Sequence, residues 1–408
     1  MFTRSAFPGG RRLSVALLAA TLGAGTLTAC GGGASSDGDD SAKGGAGFPR
    51  TVKSVLGGSV KIPAKPKRVV VLDTGELDDV TMLGIKPVGA VSPHMKNDGG
   101  FPAYLKGKIG GVKDVGPLLE PNLEKIAMLK PDLILSSKVR HEKIYDKLNA
   151  IAPTVFTETT GGPWKANLKV HAKALGLEKE ADQRLKAYEA RAKALGEAIK
   201  KKYDGKMPSA SVVRFVAGPT RLYQKSSYSG VVLNDIGLER PKSQSSTDPV
   251  KTMLDVSPEQ IDKADADMVF VTVADDPDKT QQKDVTSNPV WKDLRAVKDH
   301  KVHNVSDETW MSGIGIQAAE HMLADVAKAT GVALPTSRPP RGGAAAPRPP
   351  PTAPATIRRG RPRLPPTPPL IPKGPRSCGC TCSPSTPPTR SPMASCPPPP
   401  ASVSMSRS

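Results

Sequence analysis

Cysteine is nearly absent from most of this 408-residue chain. The five cysteines are Cys30, Cys378, Cys380, Cys382 and Cys396, so none lies between residues 30 and 378. A disulfide inside that span is excluded, and so is a nucleophilic Cys–His pair there. Aromatic residues make up only 4% of the chain, with three Trp among them. The longest apolar run near the start, Leu13–Leu22, is too short to span a bilayer as a helix. Signature patterns of catalysis are missing as well: there is no HExxH, no GxSxG and no phosphate-cradling GK[ST] loop. From Pro335 to Ser408 the chain has no Asp or Glu, but it holds 23 of the 42 prolines and eleven Lys or Arg. Such a stretch cannot bury a core and reads as a Pro/Arg-rich tail without fixed structure. Its CxCxC run has neither a His nor an acid beside it, which argues against a metal site.

The tail also accounts for most of the formal charge of +19. Without its +11 and the +3 of residues 1–30, residues 31–334 carry only +5. Overall basicity is therefore no argument for nucleic-acid binding.

What is present falls into a clear order. Arg4, Arg11 and Arg12 precede the apolar run, the pattern of a secretory leader over residues 1–30. The leader ends in Leu27-Thr28-Ala29-Cys30-Gly31, which resembles a bacterial lipobox, and Cys30 is the expected lipid acceptor. Residues 31–49 are rich in Gly, Ser and Asp and read as a flexible tether. Residues 50–163 and 204–334 each alternate short apolar runs with helical patterns, as expected of two α/β lobes. Between them, residues 164–203 carry the strongest periodic signal. Ala181, Leu185, Tyr188, Ala192, Leu195 and Ile199 recur at alternating spacings of four and three, placing one apolar face on a helix broken once near Gly176. The predicted class is α/β, with two Rossmann-like lobes of parallel-type sheets, a long rigid helix joining them, and a ligand cleft between. A quasi-repeat supports the two-lobe reading. NLEKIAMLKPDLIL (122–135) and SPEQIDKADADMVFVT (257–272) each place a capping residue, a Glu two positions on, a short helix and an apolar strand in the same order.

The lipobox and that lobe–helix–lobe order resemble the helix-linked (class III) solute-binding proteins of ABC importers. More narrowly, the chain is similar to iron–siderophore binding lipoproteins, through Arg68-Val69-Val70, GIKPV (84–88), GPLLEPNLEKIAMLKPDLIL (116–135), SVVRF (211–215), GLERP (237–241) and ETWMSGIGIQAAEHMLADV (308–326). The resemblance implies a monomer, lipid-anchored on the extracytoplasmic face of the cell membrane. It would capture a ferric siderophore, with no covalent cofactor, no catalysis and no nucleic acid, and deliver it to an ABC permease dimer.

A ferric chelate asks for guanidinium donors and aromatic faces. Arg214 interrupts a buried-strand pattern, which fits either a ligand contact or an internal ion pair. Arg140 follows an apolar strand at the corresponding rim of the first lobe, as a ligand contact or a solvated helix-start residue. Tyr223 and Tyr228 lie after the Arg214 strand, and His94 follows the second strand, where an α/β crevice opens. Trp310 matches an aromatic ligand-contact position of the family. Glu124 and Glu259, one per lobe, match glutamates that meet permease arginines; first-turn capping is the competing role. With only Arg214 and Arg140 as cleft cations, a hydroxamate chelate is preferred to a triply charged catecholate, with cobalamin or haem next. An exported metal-dependent enzyme using His300 or His303 is the reading from another class.

Overall fold

The computed structural model describes residues 47–92 and 100–336. The chain enters through an antiparallel hairpin, β1 (Arg50–Lys53) and β2 (Ser59–Ile62). Then follow β3 (Val69–Val71), α1 (Thr74–Met82), β4 (Gly89–Ser92), β5 (Lys113–Pro117), α2 (Leu123–Met128), β6 (Leu133–Ser137), α3 (Lys138–His141), α4 (Tyr145–Ile151) and β7 (Thr154–Thr157). Strands β3 to β7 form one wholly parallel sheet in the order β5-β4-β3-β6-β7. Its central strands are apolar on both faces, since helices cover both sides. The hairpin and β5 escape the sequence reading because they are short and largely exposed.

The connector is two helices, α5 (Trp164–Leu175) and α6 (Glu178–Lys202). Gly176 ends α5 in the left-handed conformation at φ 70°, which favours glycine. Along α6, all six residues of the periodic stripe are buried, and Gly196 joins them. At about 1.5 Å per residue the helix is about 38 Å long. It is no bare strut. Its stripe packs in one apolar cluster with Trp164 and Leu168 of α5 and with residues of the second lobe.

That lobe contains β8 (Ala210–Phe215), β9 (Thr220–Tyr223), α7 (Tyr228–Ile236), β10 (Met253–Val256), β11 (Met268–Val273), the short helices α8 (Gln282–Ser287), α9 (Pro289–Asp293) and α10 (Arg295–Lys298), β12 (Val302–Asn304) and α11 (Ile316–Thr330). Its sheet runs β10-β9-β8-β11-β12 and is mixed, which corrects the all-parallel expectation. β8 and β9 are joined by four residues, too few for a parallel crossover, so they pair antiparallel. The helix expected after Ser257 is also different: residues Pro258–Ala264 form a 3-10 helix.

Candidate functional site

The carboxyl ends of the parallel strands are where an α/β sheet offers a crevice. In the first lobe that end carries Asp73, the N-cap of α1, whose carboxylate accepts from the Thr74 amide at 2.6 Å. Arg140, in the short helix after β6, donates Nε–H to the same carboxylate at 2.8 Å. The second lobe repeats the arrangement. Arg214, near the end of β8, donates Nε–H and Nη2–H to the two oxygens of Asp307 at 2.6 and 2.7 Å, a bidentate fork. Its Nη1–H donates to the Tyr223 hydroxyl at 3.0 Å. Burial lowers the Arg214 pKa, but Tyr223 and Asp307 outweigh it and hold the group above its ordinary value. Arg221 stands directly across from Arg214 in the β8–β9 pair, on the same face, and is partly exposed.

These two arginine–aspartate pairs are physically continuous. The Thr74 hydroxyl donates to the Ser312 carbonyl, and the Ser312 hydroxyl donates to the Asp307 carbonyl at 3.2 Å. A hydrogen-bonded path therefore runs Arg140–Asp73–Thr74–Ser312–Asp307–Arg214 from one lobe to the other. Beside it, buried Asp78 of α1 accepts from the amides of Gln317 and Ala318, both at 3.1 Å, and from the Tyr104 hydroxyl at 3.0 Å. A carboxylate at the start of α11 meets the unsatisfied amides of that helix end. Burial nevertheless pushes the Asp78 carboxyl up, against the pull of those donors. What the site can do chemically is hold a ligand bearing anionic or strongly accepting oxygens between two oriented guanidinium groups.

Three aromatic candidates fare differently. Tyr223 lies on β9, with its hydroxyl on Arg214, and belongs to the site. Trp310 does not. It sits in a wide helical turn, Glu308–Ser312, fully buried against Phe270 with ring centroids 4.5 Å apart, and its indole donates to Asp325 at 2.8 Å. The turn rolls the indole beneath α11 rather than towards the crevice, so its ligand contact is withdrawn. Tyr228 is withdrawn too. It opens α7 instead of lying in a loop, is buried beside Trp164, and spends its hydroxyl on the Gly315 carbonyl at 2.8 Å.

Glu124 and Glu259 are both exposed in the first turns of their helices. Each follows an edge strand of its sheet, β5 and β10 respectively. The Ser257 hydroxyl and its own backbone amide hold the Glu259 carboxyl below its usual range. Cys30, His94, most of the tether and the Pro/Arg-rich tail beyond residue 336 lie outside the described residues. Among the described residues no group of three or more His, Cys, Asp or Glu is placed to hold a metal ion. His303 is on β12 facing Phe270, and His300 is in the preceding turn.

Sequence reasoning missed Asp73, Asp307, Thr74, Ser312, Asp78 and Arg221. A signal existed for Asp73 alone: an acid directly after an apolar strand and before Thr-Gly.

The profile of the periplasmic binding protein family matches residues 69–309. A probable siderophore-binding lipoprotein of Bacillus subtilis (strain 168), YfiY, is 42% identical over 286 residues, 68% of this chain and 86% of that protein. The achromobactin-binding periplasmic protein of Dickeya dadantii (strain 3937) is 31% identical over 66% of this chain and 88% of its own length. Among solved structures, Staphylococcus aureus SirA complexed with staphyloferrin B superposes with a TM-score of 0.65 at 38% identity, covering 70% of this chain and 100% of that one.

Proposed function

The chain belongs to the periplasmic binding protein family, and from that premise we propose that it captures a ferric siderophore and passes it to an ABC permease. The observation that carries this reading is the pair of arginine–aspartate units, one per lobe, joined through Thr74 and Ser312. Each guanidinium is oriented by its aspartate before any ligand arrives, so less side-chain entropy is lost on binding. Arg140 and Arg214 keep 27% and 17% of their side-chain surface exposed, enough to present the remaining N–H groups.

Two cleft cations alone would favour a hydroxamate. Arg221 stands across from Arg214 as a third guanidinium, with the exposed Asp255 carboxylate 3.6 Å from its Nε, and three guanidinium groups favour a chelate carrying net negative charge. Tyr223 adds a hydroxyl that can donate to such an oxygen while it accepts from Arg214.

Lipid on Cys30 would tether the protein at the extracytoplasmic face as a monomer, and the name of the Bacillus relative includes a lipoprotein. Glu124 and Glu259 would meet basic permease surface, one lobe to each subunit. Anchoring is checked by Cys30→Ala, which should release the protein from membranes with ligand binding intact.

The test of capture is a fluorescence titration of the full chain with ferric citrate, a ferric trihydroxamate, a ferric triscatecholate, haem and cobalamin. One ferric chelate should bind at one per chain. Arg214→Ala should weaken it by about 30-fold, the equivalent of about 2 kcal/mol for an oriented charged contact. Haem or cobalamin binding without ferric-chelate binding, or equal affinity in the variant, overturns the reading.

A further inference from the structure

Behind the crevice, between α1 and α5, three ionisable side chains share one buried space. His171 of α5 places Nδ1 2.7 Å from an Asp79 oxygen and Nε2 3.9 Å from Glu76. All three are at most 2% exposed. They line a small cavity with Gly75, Thr160, Trp164, Asn167 and Ile314, about the size of one water molecule. Glu76 Oε2, Asp79 Oδ1, His171 Nε2 and Trp164 Nε1 are each buried there without a hydrogen-bond partner. None of the four has a partner within the protein; left unmet each would cost on the order of 1–3 kcal/mol, and the cavity has room for one water to bridge them. Two acids against one imidazole also leave the cluster at least one negative charge in excess if both acids ionise. The remedy available to a buried acid is to keep its proton.

The cluster is also wired to the crevice. Glu76 lies in the first turn of α1, and the N-cap of that helix is Asp73, the carboxylate that holds Arg140. Burial first, and then the Asp73 charge, push the Glu76 carboxyl up to about 7, while His171 pulls the other way. The titratable groups around Glu76 are Asp73 and Asp79 from its own helix and segment and His171 from α5, and burial pushes the Asp79 carboxyl up and the His171 imidazole down, each towards its neutral form; Arg140 acts through Asp73. The other residues lining the cavity are uncharged.

We propose that the Glu76–Asp79–His171 cluster is a proton site coupled to the ligand crevice, so that an anionic chelate engaging Arg140 is taken up together with a proton at Glu76. The coupling follows from charge. In the free protein, the Arg140 guanidinium offsets Asp73. A chelate anion on Arg140 diverts that compensation and adds negative charge at the start of α1. The Glu76 carboxylate then becomes costlier and binds its proton more tightly. By linkage, the protein binds the same chelate better when Glu76 is already protonated. This rests on the proposed capture of an anionic chelate.

Two arms test it. In the first, the full chain is titrated calorimetrically with ferric citrate near pH 7 in buffers of different ionisation enthalpy. Wild type should take up a measurable fraction of a proton more than Glu76→Gln, because protons of the chelate itself cancel in that difference. Equal uptake overturns the proposal. If neither protein binds, the capture reading fails on this probe, and the second arm still decides. There, without ligand, the carboxyl stretch of Glu76 is followed by infrared difference spectroscopy against pH in wild type and Arg140→Gln. Removing the guanidinium charge should move the Glu76 titration to higher pH; an unmoved titration means that no coupling exists. If Glu76→Gln does not fold, glutamate-specific isotope labelling of the wild type and Arg140→Gln supplies the same comparison.

Discussion

At the scale of single residues, Asp307 is the group on which the second-lobe site depends. Its side chain is 1% exposed, and it takes both oxygens' worth of hydrogen bonding from Arg214. Truncating one partner of a buried pair leaves the other charge without compensation. Asp307→Asn should therefore lower unfolding stability by about 2–4 kcal/mol, read as a shift in the urea midpoint. It should also weaken the ferric chelate, because the guanidinium loses its orientation. A variant as stable as wild type would show that Arg214 is held by its surroundings rather than by Asp307. The same scale explains Trp310. An aromatic face suits a chelate, but the direction of this one is decided by a helical turn that no sequence pattern announces.

Among elements, α6 is governed by its contact with α7. By propensity a glycine inside a helix is a weak point, yet a Cβ placed at Gly196 would lie 1.9 Å from the Ile236 carbonyl oxygen. The two helices approach closely because that position has no side chain. By helix propensity alone, Gly196→Ala should stabilise the protein by about 1 kcal/mol. The packing predicts the opposite sign: a loss of about 1–3 kcal/mol as the helices are forced apart. A thermal melt of the variant distinguishes the two, and a higher melting temperature would reject the close-contact account.

At the scale of the whole molecule, the first prediction concerns docking. Glu124 and Glu259 are exposed, and neither makes a contact in the Arg140–Arg214 path, so Glu124→Arg with Glu259→Arg should leave ligand titration unchanged. Uptake of iron should fail, because like charges would then face a basic permease, at a cost of several kcal/mol. A double variant that melts lower and still imports iron would mark both as ordinary first-turn glutamates. The second prediction is a pH dependence. The Glu76 pKa rises from 4.5 to about 7 on folding, so the folded state holds more protons than the unfolded chain between those values. Stability from this group is full below about pH 4.5 and is lost as pH rises through about 7. Urea midpoints should fall between about pH 4.5 and 7, and Glu76→Gln should flatten that fall. A wild-type profile already flat across this range would contradict the raised pKa.

The sequence by itself determined the strand–helix alternation of the two lobes, the break at Gly176, the buried stripe of α6 and the apolar core of the central strands, but not the hairpin or β5. These are local properties: the period of apolar residues sets which face of a helix or strand avoids water, wherever its partner lies. The resemblance carried by its motifs also reached the right family. Only the tertiary structure decided which charges meet. Asp73 finds Arg140 67 positions away, Asp307 finds Arg214 across 93, and His171 finds Asp79 across 92. No periodicity spans such separations, because each pairing depends on strand order and on the way α5 folds back over α1. The same holds for Tyr228 and Trp310, whose burial was settled by helix packing. A sequence states which side chains are available; the chain's topology settles which of them share a low-dielectric space, and there their chemistry is set.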